Sequence, residues 1–246
     1  MGKINRSSFG KLFVIGRQLL REHSWRTPII IINRFFCYVF VRTLMRNARF
    51  SLGEKRYRYA LHLLNGAFRT ERVVEIPIAI ETCQLNGEIL EVGNVLNQYF
   101  QFEHEVVDKY EKSPGVINED IATFTPGKQY DLIISISTLE HVGWDESLRR
   151  PDKLILALEN LKLLLKPEGR LIVTVPLGYN SFLDEFLRHK MTDLTKIYFM
   201  KRISALNEWA ETDMEDALNR PFGSIYPCAN AIAVLIYEKC SIKVLS

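Results

Sequence analysis

The chain has 246 residues, 47% of them hydrophobic, enough apolar material for one large α/β domain or a domain with an appended segment. Its net charge of +3 conceals a split: residues 1–58 hold 13 Lys/Arg against Glu22 and Glu54, and residues 59–246 hold 19 against 27 acids, giving +11 and −8. An acidic main domain argues against nucleic acid as a partner, because phosphate binding needs a basic footprint. Cys37, Cys83, Cys228 and Cys240 show no CxxC or other close spacing, so neither a metal site nor a disulfide framework is expected, and with no signal-peptide pattern the expected compartment is a reducing cytoplasm.

The first predicted unit is the basic arm, residues 1–58, and the second is the main domain, residues 59–246. Within the arm, "PIIIINRFFCYVFV" (28–41) is an apolar run broken by Asn33 and Arg34, shorter than the ~20 apolar residues that a membrane span needs. Flanked by Arg21, Arg26, Arg42, Arg46 and Arg49, it has two readings: a helix lying along an anionic membrane surface, or a helix packed on the main domain with its arginines solvated.

From about residue 73 short apolar runs alternate with helical stretches. "EILEVG" (88–93), "HEVVDK" (104–109), "YDLIISIS" (130–137) and "GRLIVTVP" (169–176) are β-branched runs bounded by turn residues, and read as strands. Before the last of these, "DKLILALENLKLLLKPEG" places Leu154, Leu158, Leu161 and Leu165 at helical spacing, with Pro167 and Gly169 as the expected stop. "AIAVLIYEK" (231–239) adds a late strand, read as antiparallel. Strands alternating with helices predict parallel pairing with right-handed crossovers, hence a three-layer Rossmann-like α/β sandwich with a helical N-terminal extension.

In such a sheet ligands bind beyond the carboxyl ends of the strands. The first strand delivers Glu91 and Gly93 to that edge and the second ends at Asp108, where a carboxylate can accept from both hydroxyls of a ribose. "GVINEDI" puts Glu119 and Asp120 at a third strand end, suited to an exocyclic amine. The loop after the first strand holds one glycine, Gly93, followed by Asn94, Val95 and Leu96. A dinucleotide pyrophosphate wants several bare backbone amides and hence several glycines. S-adenosylmethionine has no phosphate and needs one close backbone approach, so the single glycine argues against NAD and is permissive for S-adenosylmethionine.

The stretch "YDLIISISTLEHVGWDE" (130–146), with "LKLLLKPEGRLIVTVPLGYN" downstream, resembles the class I S-adenosylmethionine-dependent methyltransferases over roughly residues 86–178. In that family "YDLIIS…LEHV" looks like the fourth strand and its turn, and "LKPEGRLIVTVP" like the unit leading into the fifth; the glycine-rich first loop is reduced here to "EVGNVLNQ". The resemblance implies S-adenosylmethionine as cofactor. Glu91 would orient the first loop, and Gly93 would pass beside the methionine moiety. Asp108 would hold the ribose, Asp120 and Ile121 would frame the adenine, Ser137, Thr138 and Leu139 would line the floor, and Asn94 and Lys109 are further cofactor-binding candidates.

His141, just beyond the fourth strand, faces the expected meeting place of acceptor and methyl donor, and an imidazole there can take a proton from a hydroxyl. Trp144, Tyr179, Asn180 and Tyr226 are candidates for the acceptor pocket. The expected activity is methyl transfer to a hydroxyl of a small, glycan or lipid-linked acceptor by an enzyme of the cytoplasm or its membrane surface. The alternative is a non-catalytic protein that keeps the fold as a membrane-peripheral interaction module.

Overall fold

A computed structural model of the protein describes residues 26–83, 87–100, 103–189, 194–223 and 228–240. In chain order the elements are α1 (Arg26–Met45), β1 (Arg49–Leu52), β2 (Lys55–Arg58), α2 (Arg72–Thr82), β3 (Ile89–Val92), β4 (Glu105–Val107), β5 (Val116–Ile117), β6 (Tyr130–Ile136), α3 (Lys153–Leu163), β7 (Leu165–Pro176), α4 (Ser181–His189), β8 (Lys196–Arg202), β9 (Trp209–Thr212), α5 (Met214–Leu218) and β10 (Ala231–Glu238). Short 3-10 turns cover Leu64–Arg69, Leu96–Gln98 and Leu139–His141.

Eight strands form one sheet in the order β5-β4-β3-β6-β7-β10-β8-β9. The first five pair in parallel, while β10 runs antiparallel to both β7 and β8, and β9 antiparallel to β8. The chain builds outward from β3 through β4 to β5 and then returns to the other side of β3 with β6. The β3–β6 boundary is therefore where strand order reverses and a crevice opens at the carboxyl ends.

Alternation along the strands sends side chains to two faces. Leu90, Val92, Ile133, Leu171, Val173 and Ala233 meet Leu154, Leu158 and Leu161 of α3 and Leu183 and Leu187 of α4 on one face. Ile89, Leu132, Ile134, Ile136 and Ile172 meet Ile76 and Ala79 of α2 on the other. The result is the three-layer α/β sandwich expected from the alternation of strands and helices. Each large aliphatic side chain buried in these layers contributes about 1.5–3 kcal/mol relative to leaving it in water.

One boundary differs from the sequence-based expectation. The helix expected to run to Pro167 and Gly169 stops at Leu163, with Leu164 as its C-cap, because Leu165 pairs with Tyr130 and is fully buried in the sheet. Lys166–Gly169 then form a bulge inside β7, between the Tyr130–Leu165 and Leu132–Arg170 pairs. In this bulge Glu168 takes φ +64°, and a Cβ on Gly169 would lie 2.8 Å from the Lys166 carbonyl oxygen. Within the arm, the β1–β2 hairpin buries Phe50 and Leu52 against Val73, Ile78, Met200, Trp209 and Ile232. Among the described residues no helix is long and apolar enough to cross a membrane.

Candidate functional site

The first loop is held from beneath by Glu91. Its side chain is fully buried in β3; Oε1 accepts the backbone N–H groups of Val95 and Leu96 at 2.8 and 2.7 Å, and Oε2 lies 2.7 Å from His104 Nε2. A carboxylate that accepts two amides and faces an imidazole fixes the turn without a glycine-rich sequence. Gly93 is required by something other than a ligand. It sits at φ +84°, its N–H donates to the Val107 carbonyl at 2.9 Å, and a Cβ there would stand 2.2 Å from Thr138 Oγ1. The glycine lets the β3 and β6 loops cross. Asn94 closes the rim, donating through Nδ2 to Glu111 Oε1 at 2.6 Å.

Above this crossing lies a cavity of about 550 Å³ at the carboxyl ends of β3, β4, β5 and β6, bordered by Gly93, Asn94, Asp108, Lys109, Asp120, Ile121, Ser137, Thr138 and His141. Nine of the residues singled out from sequence thus share one cavity. Two others do not border it: Glu91 acts through the loop above it, and Leu139 is fully buried in the core on the α3 face.

Asp108 turns the chain at the end of β4. Oδ1 accepts the N–H groups of Tyr110 and Glu111, both at 2.8 Å, which aims the carboxylate and leaves Oδ2 for a ligand. Asp120 is differently committed. Its Oδ1 accepts from Ala122 N–H at 3.1 Å, and Oδ2 is held by the ammonium groups of Lys109, at 2.8 Å, and Lys153. Against the upward pull of partial burial, these two cations push the Asp120 carboxyl down to about 2. Hydrogen bonding to Asp120 in turn holds Lys109 in its charged form, and both lysines also contact Glu146 Oε1, at 3.0 and 2.6 Å. Lys109, Asp120, Glu146 and Lys153 thus form a four-membered ion cluster that braces one wall.

The remaining border is acid-rich. Asp108, Glu111, Glu119 and Asp145 line the cavity with only Lys109, itself spent on Asp120 and Glu146, as an ammonium among the bordering residues. Such a surround favours a ligand with positive charge and opposes a pyrophosphate.

The β6 loop supplies the other wall. Ser137 takes φ +38°. Its hydroxyl turns away from the cavity to donate to Glu75 Oε1 at 2.6 Å, which also accepts from Thr174 Oγ1 at 2.8 Å. Beneath this loop lies a buried set of charges. Arg72 donates to Glu75 Oε2 at 3.0 Å and to the Ile136 carbonyl at 3.1 Å. Glu140 is 1% exposed, and its Oε2 has no hydrogen-bond partner among the described residues. Burial pushes the Glu140 carboxyl well above the ordinary carboxylate range, and burial, reinforced by Glu75, raises Glu71 as well.

At the mouth, three side chains unite. His141 Nδ1 is 2.5 Å from Asp145 Oδ2, the same oxygen accepts the Tyr179 hydroxyl at 2.6 Å, and the two rings meet edge-on at 5.0 Å. Although partial burial pulls upward, the bonds from Tyr179 and His141 hold Asp145 below the usual carboxylate range. Burial and the Asp145 bond push the Tyr179 phenol up to about 12, so it remains a donor. A carboxylate at Nδ1 favours the tautomer protonated there, and Nε2 lies 3.5 Å from Glu140 Oε1. His141 is about half exposed, open to an acceptor from solution.

Of the other acceptor candidates, Trp144 lies under Arg149, with the guanidinium 4.0 Å from its ring centre, and does not border the cavity. Asn180 is fully buried. Its Oδ1 caps α4 through the N–H groups of Phe182 and Leu183 at 3.0 and 3.1 Å, and its Nδ2 donates to the Glu140 carbonyl at 2.8 Å, so its work is structural. Tyr226 lies outside the described residues. Asp145 and Glu146, in the "WDES" that follows the histidine, also border the cavity and were not singled out from the sequence. The i, i+4 spacing of His141 and Asp145 was the signal available.

No family model matches the chain, and no curated protein matches it. Among solved structures, the chain is similar to the N-methyltransferase NodS from Bradyrhizobium japonicum bound to S-adenosyl-L-homocysteine. Identity is 13%, covering 67% of this chain and 84% of that one, at a TM-score of 0.42. An S-adenosylmethionine-dependent methyltransferase from Clostridium acetobutylicum is 13% identical, covering 66% and 89% at a TM-score of 0.36. An rRNA methylase from Streptococcus thermophilus is 10% identical, covering 68% and 97% at a TM-score of 0.40.

Proposed function

We propose that the protein binds S-adenosylmethionine in the strand-end cavity and transfers its methyl group to a hydroxyl of a small, glycan or lipid-linked acceptor. One observation carries this reading: an acid-lined cavity with a single glycine in its first loop opens directly onto a histidine oriented by a carboxylate. The fit to the cofactor rests on Asp108 Oδ2, free to accept from a ribose diol, on Ile121 as an apolar wall, and on the excess of carboxylates, which suits a cationic sulfonium and ammonium. When bound, the cofactor supplies a methyl group already activated by its positive sulfur.

The residues of the chain then have two tasks. Asp108 and the loop held by Glu91 orient the cofactor, and orientation alone can carry much of the rate of an in-line displacement. His141 Nε2 takes the proton from the acceptor hydroxyl, and Asp145 with Tyr179 keeps the ring in the tautomer and position that this needs. The acidic rim opposes polyphosphate acceptors, which favours uncharged sugars and lipids over nucleic acid.

The test is methyl transfer from isotopically labelled S-adenosylmethionine to sugars, glycans and lipid-linked sugars, with products analysed by mass spectrometry. The reading expects an O-methylated product. Cofactor binding without any product would favour the non-catalytic module, and methylation confined to amines would overturn the base assigned to His141.

A further inference from the structure

We propose that α1 seats the protein on an anionic lipid surface, through the helix face that the domain leaves bare. Ile32, Phe35, Phe36, Val39 and Phe40 fall at i, i+3, i+4, i+7 and i+8, the spacing of a single apolar stripe. In a globular protein that stripe ordinarily faces the core, yet here each of the five is between 42% and 65% exposed. The domain holds the helix by its other side. Met45 is buried, the Tyr38 ring packs edge-on against Phe68 at 5.5 Å, and the Tyr38 hydroxyl donates to the Leu61 carbonyl at 3.4 Å. The outward stripe is therefore not needed for attachment to the domain, and three phenylalanines side by side in water are an interaction surface.

The charges around the stripe choose the partner. Arg34 and Arg42 on the helix and Arg46 just past its end are exposed, as are Arg49, Arg56 and Arg58 on the adjoining hairpin, and Glu54 is the only acid between residues 26 and 58. A second copy docked stripe to stripe would bring two such cation clusters together with almost nothing to offset them. Lipid phosphates offset them directly, and the acyl boundary beneath takes up the aromatic stripe, the arrangement of a helix lying in the plane of a membrane interface. Residues 59–246 carry a net −8, so the main domain adds repulsion from the same surface and the attraction rests on this basic face. The attachment needs no cofactor at the sheet edge, so it stands or falls apart from the methyl-transfer reading.

Flotation of the full chain with phosphatidylcholine vesicles, with and without phosphatidylglycerol, tests this directly. Capture is expected only by the anionic vesicles, and should fade with salt as the Debye length shrinks below ~8–10 Å. Each basic residue at the surface contributes roughly fivefold to partitioning, so Arg46→Glu/Arg49→Glu should lower it by at least about tenfold, and Phe36→Ser/Phe40→Ser by a comparable factor. Both pairs are solvent-exposed, so unchanged melting temperatures would certify the fold of the variants. The proposal is overturned if anionic vesicles do not capture the wild type, or if Phe36→Ser/Phe40→Ser floats as well as it does. It is equally overturned if the wild type is a dimer that this variant splits while vesicles bind neither.

Discussion

The strand-end cavity and the outer face of α1 are built on opposite principles. Around the cavity several side chains are already engaged: Glu91 holds a loop, Lys109 and Lys153 hold Asp120, and Asp145 holds both His141 and Tyr179. What is left over is negative charge and a few aimed atoms. On α1 the outward aromatic side chains stand exposed, Phe35 and Phe36 meeting edge-on, and the charge nearby is positive. A preorganised site selects a small cation by position, whereas the helix face offers area and charge to a surface without fixed geometry. Changes in one region should leave the other untouched.

The largest expected effect is on chemistry. His141→Ala should lower turnover by ~10²–10⁴-fold, the usual contribution of a positioned general base, while affinity for S-adenosylhomocysteine and capture by anionic vesicles stay at the wild-type level. A His141→Ala protein with wild-type turnover, checked by methyl-transfer assay, would remove the histidine from the reaction.

Next in size is the loop crossing. Gly93→Ala forces a side chain into a left-handed backbone, at about 1–2 kcal/mol, and into Thr138 Oγ1, adding roughly 1–3 kcal/mol of overpacking. Thermal melts should fall by roughly 2–4 °C for each kcal/mol in a chain of this size. The double variant Gly93→Ala/Thr138→Ala should recover the steric share and keep the backbone share. A single variant as stable as the wild type would mean that the loops can part, and that the cavity is less firmly built than the comparison requires.

The smallest effect concerns the buried carboxyl of Glu140. Its folded-state pKa is raised by burial, so its contribution to stability is fully present below the unfolded carboxylate pKa and is lost as pH rises toward the folded value. Glu140→Gln, neutral at every pH, should therefore leave stability unchanged in acid and raise it toward neutrality. Melting curves between about pH 5 and 8 decide it; a variant that loses stability across this range would mean that the ionised carboxylate is what Arg72 requires.

The legible parts of the molecule were those where one force dominates. "YDLIISIS" and "AIAVLIYEK" are strands because β-branched and aliphatic residues buried on both faces leave no other arrangement, and the strand-end acids followed from knowing where such strands end. The α3 boundary was misplaced because Pro167 and Gly169 are ordinary helix stops, while Leu165 is claimed by long-range pairing with Tyr130, which no local rule can see. The β1–β2 hairpin escaped because "RFSLGEKRYR" is half charged; Phe50 and Leu52 face inward, with Tyr57 packed beside them. Asn180 looked like a ligand contact and is a helix cap, although an Asn just before "SFLDEF" is itself a capping signal. The outward stripe of α1 was visible as a pattern, but its direction was not, since periodicity cannot tell which side the domain occupies.

The central claim is that the cavity holds S-adenosylmethionine and not a dinucleotide, with Asp108 gripping the ribose. Titration calorimetry of the full chain with S-adenosylhomocysteine and with NAD tests it most directly, repeated on Asp108→Ala. The account predicts a single site for S-adenosylhomocysteine, weakened in the variant by about 1.5–3 kcal/mol, the scale of hydrogen bonds to a charged group, and no binding of NAD. Binding of NAD in place of S-adenosylhomocysteine, or S-adenosylhomocysteine affinity indifferent to the loss of Asp108, would contradict it.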